Sequence, residues 1–129
     1  MLWHTCQNRI PTLVELNRRN INVGPLNCRV CGVGEETTDH LFIGCHLAQF
    51  VWEFVAGWCK ISPVYAYDIK DLVNLYRHLR SSFKWKKLIY MVMQTSIWCI
   101  WRCRNDLIFN HKEAHVTRLV EEIRVLAFL

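Results

Sequence analysis

The segment CRVCGVGEETTDHLFIGC, residues 28–45, carries three cysteines and one histidine. Two residues separate Cys28 from Cys31, eight more lead to His40, and a further four lead to Cys45. Two cysteines so spaced on a tight turn present both sulfurs to one ion. His40 and Cys45 then supply the other two corners of a tetrahedron. The spacing predicts a metal-binding knuckle.

The donor set indicates which metal is bound and what it does. Three thiolates and one imidazole favour zinc over calcium or magnesium, which require oxygen ligands. Gly32, directly after the paired cysteines, allows the left-handed backbone that such a knuckle often needs. Four protein ligands leave no open position for a water molecule, so we expect one structural Zn²⁺ per chain and no metal-based catalysis.

Other roles for these side chains are open at this stage. Cys28 and Cys31 could form a redox pair of the thioredoxin kind, although that motif follows a strand and opens a helix, and neither context is predicted here. They could also be inert buried thiols, although the loop around them is polar. His46, next to Cys45, is an alternative ligand that is disfavoured because it begins the following helix.

Composition narrows the class of protein. The chain has 129 residues, of which 52% are hydrophobic, so it is long enough to bury one core and is not disordered. Seven cysteines are an odd number, and Met1–His4 does not begin a secretory signal, so we expect reduced thiols in an intracellular, nuclear or cytoplasmic compartment. The longest apolar stretch, Leu88–Trp101, is shorter than the ~20 residues that cross a bilayer, so no membrane partner is expected.

Apolar residues recur at helical spacing along most of the chain, and no stretch alternates long enough to predict a strand. We therefore predict an all-α fold, with the zinc knuckle inserted between the first two helices. Thr12 and Glu15 form a capping box for the first helix, and Asp68 caps the third. The predicted helices run from Thr12 to about Asn20, over 47–58, from Asp68 to about Arg80, from Phe83 to Phe109 and from Ala114 to Phe128. We expect a zinc-binding domain over 1–62 and a C-terminal helical extension over 63–129 that packs on it.

The fourth helix is apolar almost all round, which predicts a central, buried helix. Cys99 and Cys103 lie four apart on it and are expected to be core residues rather than a second metal pair, with no histidine or carboxylate nearby. Trp85 stands between Lys84 and Lys86 and is the one good candidate for an exposed aromatic among cations, as single-strand binders use, but it is expected to be a core residue. The net charge of the chain is +5, and residues 83–112 carry six basic side chains against one acidic side chain.

Several motifs occur in an order that resembles the reverse transcriptase zinc-binding domain of plant non-LTR (LINE-type) retrotransposons. They are NRIPTLVELNRRNI at 8–21, the paired cysteines, EETTDHLF at 35–42, the final cysteine and VWE at 51–53. Further on, IWCIWRCRNDLIFN at 97–110 resembles the Trp-rich, Arg-Asn-containing end of the same reading frames. His46 is a departure, because the family often has proline there.

The resemblance implies an accessory module of an RNA-directed DNA polymerase. The polymerase itself needs paired carboxylates to hold two magnesium ions, and the sequence has no adjacent Asp-Asp and no ribonuclease H-like cluster. We therefore expect no enzymatic activity and no small-molecule substrate. Two function classes stay open. In the first, Arg18, Arg19 and Arg29 contact RNA or DNA. In the second, the module packs on a reverse transcriptase core or another protein and binds no nucleic acid.

Overall fold

The computed structural model describes residues 10–127, and the predictions on Met1–His4 and Phe128 lie outside this range. The described chain is all-α, as predicted, and its only β-type pairing is one isolated bridge between Asn27 and Glu35. A π-helical turn precedes the second helix, and a 3₁₀ turn extends the third. The elements are α1 (Leu13–Arg18), the π-turn (His40–Gly44), α2 (His46–Cys59), α3 (Ile69–Asn74), the 3₁₀ turn (Leu75–His78), α4 (Phe83–Phe109) and α5 (Val116–Ala127).

The start of α1 confirms half of the predicted capping box. The Thr12 hydroxyl accepts a hydrogen bond from the Glu15 amide at 3.3 Å. The other half of the capping box, a hydrogen bond from the Thr12 amide to the Glu15 carboxylate, was predicted wrongly. The Glu15 carboxylate instead lies 3.4 Å from both Arg18 and Arg19. The Thr12 amide donates instead to the Ile10 carbonyl at 2.7 Å. Turning Glu15 toward the two arginines places opposite charges one turn apart, which stabilises a short helix slightly.

The third and fourth helices begin where the sequence predicts, whereas α5 begins at Val116 rather than at Ala114. Asp68 caps α3 by accepting from the Asp71 amide at 2.8 Å, but the α-helical part ends at Asn74 and continues only as the 3₁₀ turn. Ser82 caps α4 by accepting from the Trp85 amide at 3.2 Å, and α4 has the predicted bounds. No helix within residues 10–127 is long and apolar enough to cross a membrane.

One hydrophobic cluster runs from the knuckle to α5 and includes residues on both sides of position 62. The knuckle contributes Leu41 and Phe42, which are almost completely buried. The helices contribute aliphatic side chains, among them Val51, Val55, Leu72, Ile97, Ile100 and Ile123. The division into a domain over 1–62 and an extension over 63–129 stays a prediction.

The fourth helix is buried on one side only, which corrects the expectation that it is surrounded by core. Its first buried residue is Ile89, and the six residues before it are exposed or half-buried. Trp85 is 39% exposed, so its assignment to the core was wrong. The physical reason is that α4 begins about a turn and a half before its first buried residue, so its first apolar side chains lie outside the core.

A buried ion pair attaches the knuckle to α4. Glu36, in the knuckle, and Arg104, on α4, are 0% and 2% exposed. Arg104 donates to Glu36 through two nitrogens, at 2.6 and 3.0 Å. Glu36 also accepts from the amide of Leu13, the first residue of α1, at 2.9 Å. The guanidinium lies 4.7 Å from the centre of the Trp101 ring. One carboxylate thus joins α1, the knuckle and α4.

Breaking this pair should destabilise the whole chain. Arg104→Met leaves the Glu36 carboxylate buried without its cation, so we expect the free energy of unfolding to fall by about 3–5 kcal/mol in urea titrations. Arg102→Met is the matched control, because Arg102 forms an ion pair with Glu122 at the protein surface and its loss should cost about 1 kcal/mol or less. Equal effects of the two substitutions would show that the buried pair contributes no more than a surface pair.

Candidate metal centre

The structure brings together the four side chains predicted from the sequence. One ligand atom from each of Cys28, Cys31, His40 and Cys45 lies within 4.8 Å of all the others. The sulfurs of Cys28 and Cys45 are 3.9 Å apart, and Cys31 Sγ lies 3.2 Å from His40 Nε2. Sulfur and nitrogen ligands at about 2.3 and 2.0 Å from a tetrahedral zinc lie roughly 3.5–3.8 Å from one another. The cluster therefore fits one zinc ion.

The backbone of the first ligand turn is shaped by two glycines. Gly32 and Gly34 have φ angles of +73° and +71°, in the left-handed region that glycine occupies without strain. The Gly32 amide donates to the Cys28 carbonyl at 2.8 Å, and the Cys28 amide donates to the Gly34 carbonyl at 2.9 Å. The Val33 amide donates to Cys31 Sγ at 3.4 Å. The loop thus folds around the two sulfurs.

The second ligand pair depends on the π-turn. His40 and Cys45 are five residues apart, and in an α-helix residues so spaced point about 140° away from each other. Here the Cys45 amide donates to the His40 carbonyl at 2.7 Å, the i to i+5 bond that defines a π-turn. The wider turn brings both side chains to the same side, facing the first pair. The unusual helix geometry is therefore what completes the tetrahedron.

Polar side chains of the EETTDHLF segment hold this arrangement in place. The Thr37 hydroxyl accepts from the His40 amide at 3.0 Å. Asp39, next to the histidine ligand, accepts from the Ile69 amide at 3.0 Å and so fixes the start of α3 against the knuckle. The Trp52 indole donates to the Phe42 carbonyl at 2.7 Å. These residues anchor the ligand loop to the helices around it.

The site has one buried side and one side nearer to solvent. Cys28 and Cys45 are buried, whereas Cys31 and His40 are half-buried. The hydrogen bond from Cys45 lowers the pKa of the Cys28 thiol to about 5, against the opposing effect of burial. The same hydrogen bond and burial raise the pKa of Cys45. A bound divalent cation would favour the ionised form of both thiols.

The alternative roles of the nearby residues do not fit this geometry as well. No strand precedes Cys28 in the described chain, and the Cys31 sulfur faces His40, so the thioredoxin context is absent. His46 is exposed at the start of α2 and does not belong to the ligand cluster. The six cysteines within 10–127 are free thiols.

The second cysteine pair behaves only partly as predicted. Cys99 is buried, as expected, but Cys103 is half-buried. The prediction that no histidine or carboxylate lies near the pair is wrong for Cys103, which lines a small groove together with Asp106 and His115. Between residues 10 and 127, the knuckle cluster is nevertheless the one place where three or more such ligands converge.

The predicted nucleic-acid contacts, Arg18, Arg19 and Arg29, all lie at the surface. Arg18 and Arg19 each pair with Glu15. Arg29 donates to the carbonyls of Val23 and Pro25, at 3.3 Å each, and so ties down the loop that leads into the knuckle. These arginines therefore have local partners, and a role in binding nucleic acid stays a prediction.

The structural role of Arg104 was not predicted from the sequence. The signal was available, because Arg104 continues the series of buried apolar positions Ile89, Met93, Ile97 and Ile100 at steps of three and four. A cation in register with a core face needs a buried acidic partner. Its partner, Glu36, could not be chosen from the sequence because it lies in a different part of the chain.

Fold and site together define a class of protein, a small α-helical domain with a structural zinc site closed by three cysteines and one histidine. Residues 1–52 match the family described as zinc-binding in reverse transcriptase, and this range contains all four ligands. The family recognised from the sequence motifs is thus confirmed for the N-terminal part of the chain, and its restriction to plant non-LTR elements stays a prediction. No match was found among curated proteins or solved structures.

Metal content tests the ligand assignment. We expect one zinc per purified chain, and Cys28→Ser, Cys45→Ser or His40→Ala should abolish binding, because each removes one corner of the tetrahedron. Cys99→Ser and His46→Ala are the matched controls and should leave the zinc content unchanged. Elemental analysis of each variant gives the answer, and loss of zinc in the controls instead would mean that the ligands are misassigned.

Removing the metal should loosen the knuckle selectively. Structural zinc typically contributes ~10 kcal/mol or more to a segment with few large apolar groups, as in 21–45. A chelator should therefore expose residues 28–45 to protease, while α3, α4 and α5 keep much of their circular dichroism because they have their own apolar contacts. Full protease resistance of the knuckle in the metal-free chain would contradict a structural role for zinc.

Proposed function

We propose that this chain is a non-catalytic zinc-binding accessory module of an RNA-directed DNA polymerase, and that it contacts nucleic acid. The observation that carries the proposal is that the complete ligand set lies within the segment that matches zinc-binding in reverse transcriptase. Such a module works inside the cell, in the nucleus or cytoplasm. We further propose a parent element of the plant non-LTR type, on the motifs described above.

The surroundings of the acidic side chains support a non-catalytic role. Glu36 is engaged by Arg104, and Asp39 by the start of α3. The adjacent acidic residues Glu121 and Glu122 on α5 contact Arg124 and Arg102, respectively. Carboxylates that hold catalytic magnesium must instead converge on a shared, accessible ion. The zinc ion, with four protein ligands, would hold the chain in shape and activate no water.

A positive charge excess supports contact with nucleic acid. The net charge of +5 favours association with a polyanion, and contacts to phosphates need no base-reading helix. Arg18 and Arg19 at the end of α1 and Arg29 in the knuckle loop are the first candidates for such contacts. Their ion pairs and hydrogen bonds are solvent-exposed and therefore weak enough to be exchanged for phosphate oxygens.

A second candidate function, docking on a polymerase without nucleic acid, is favoured by a different observation. Leu88, Met91 and Trp98 recur along the outer side of α4, and all three are exposed. A groove of about 750 Å³ also opens beside Trp52 and is lined largely by apolar side chains of α2 and the 61–66 segment. Exposed apolar surface of this kind often marks a protein contact.

Salt dependence separates the two functions. Replacing Arg18, Arg19 and Arg29 together with Gln should weaken binding to RNA and DNA by a similar factor for any sequence and flatten the salt slope by up to about three charges. Fluorescence anisotropy at several salt concentrations measures both effects. Lys60→Gln, which changes an exposed cation at the end of α2, is the control. If the unmodified chain shows no binding even at low salt, with zinc bound, docking on protein is the better account.

A further inference from the structure

The strongest charge asymmetry of the chain lies outside the zinc knuckle. Residues 72–105 contain no acidic side chain and seven basic ones: Arg77, Arg80, Lys84, Lys86, Lys87, Arg102 and Arg104. Arg104 and Arg102 are neutralised by Glu36 and Glu122. The remaining five cations are clustered where the 3₁₀ turn leads into α4. We call this region the α4 entry surface and define it as Arg77, Arg80, Phe83, Lys84, Trp85 and Lys87, all of which are exposed.

Two aromatic rings stand among these cations. Phe83 is 84% exposed and Trp85 is 39% exposed, and neither reaches the core, whose first residue on α4 is Ile89. Exposing two large rings gains nothing for folding, because each leaves apolar area in contact with water. Rings interleaved with cations are the arrangement by which proteins hold single-stranded nucleic acid, where bases stack on the rings and phosphates meet the charges.

The surface is held by its own local contacts. The Ser82 hydroxyl accepts from the Trp85 amide at 3.2 Å and so orders the first turn of α4. The Lys86 ammonium donates to the Arg77 carbonyl at 3.4 Å, which attaches the 3₁₀ turn to the helix. The Arg77 guanidinium lies 5.7 Å from the centre of the Tyr76 ring and donates to its hydroxyl at 3.2 Å. These contacts order the backbone of the 3₁₀ turn and of the first turn of α4.

We propose that single-stranded nucleic acid wraps around the exposed start of α4, with phosphates held by Lys84, Lys87 and the neighbouring arginines. Phe83 and Trp85 point about 160° apart around the helix axis, so the strand would stack one base on each side of the helix. The proposal rests on the proposed function, since it identifies where this module contacts nucleic acid and in which form. It requires unpaired bases, because bases inside a duplex already stack on each other. The surface therefore selects single strands, and it differs from the arginines near the zinc site.

The positive charge at the start of α4 favours nucleic acid over a protein as the ligand of this surface. The exposed apolar residues farther along the helix, Leu88, Met91 and Trp98, have no exposed cation between them. At the entry surface, by contrast, two of the five residues in 83–87 are aromatic and the other three are lysines. A polyanion with π-faces satisfies both features at once, whereas an apolar protein surface would leave the lysines buried without partners.

The test uses the zinc-loaded full chain and a fluorescein-labelled oligothymidylate of about 15 nucleotides. Phe83→Ala combined with Trp85→Ala should weaken binding at least about tenfold, because each stacked base is worth ~1–3 kcal/mol. Binding to a duplex of the same length should hardly change. Trp98→Ala is the matched control, since Trp98 is 45% exposed on the same helix but lies roughly 20 Å farther along it. Lys84→Gln with Lys87→Gln should reduce the salt slope by about 1.4.

The outcomes separate this inference from the proposed function. Circular dichroism and zinc content should be unchanged in the variants at positions 83–87, because these positions lie outside the core. If the unmodified chain binds the oligonucleotide but the Phe83 and Trp85 changes have no more effect than Trp98→Ala, the inference is overturned and the proposed function stands. If the unmodified, zinc-loaded chain binds neither single strand nor duplex at low salt, both are overturned.

Discussion

The ion pair between Glu36 and Arg104 joins residues that are 68 positions apart, and both side chains are almost fully removed from water. Removing two charges from water costs desolvation free energy. The attraction between the charges offsets this cost only where their geometry is good and their other hydrogen-bonding groups have partners. Both conditions are met. The contact is bidentate, the Leu13 amide donates to the same carboxylate, and Arg104 also donates to the Asn105 side chain. The positions of α1, the knuckle and α4 relative to one another depend on this contact.

The metal site and the ion pair both stabilise the knuckle, in different ways. The knuckle has glycines, polar residues and only a few large apolar side chains, so hydrophobic burial alone cannot close it. Four ligands converging on one ion would close it locally, and Glu36 then attaches it to the helices. Leu41 and Phe42, beside His40, add the apolar contact that joins it to the core. The remaining helices rely on ordinary apolar packing.

The residues that stabilise the fold and the residues available for binding lie in different parts of the molecule. The conspicuous motif residues around the zinc ligands, such as Thr37, Asp39 and Trp52, all make contacts that hold the fold. Exposed aromatic and apolar side chains lie elsewhere, on the outer side and at the start of α4. A zinc domain of a polymerase need not touch nucleic acid with the metal-binding loop, because the loop can serve to position a helix that does. We propose that this helix makes the contact with single strands.

The sequence by itself determined the features that depend on near neighbours along the chain. The four metal ligands, the caps at Thr12 and Asp68, the all-α class and the bounds of α4 follow from spacing and local chemistry within a few residues. Only the tertiary structure decided the π-turn between His40 and Cys45, the partner of Arg104 and the exposure of Trp85. Each of these features depends on contacts with residues that are distant in the sequence. Burial and desolvation are set by distant segments, so apolar periodicity alone could not distinguish the part of α4 that enters the core from the part that precedes it.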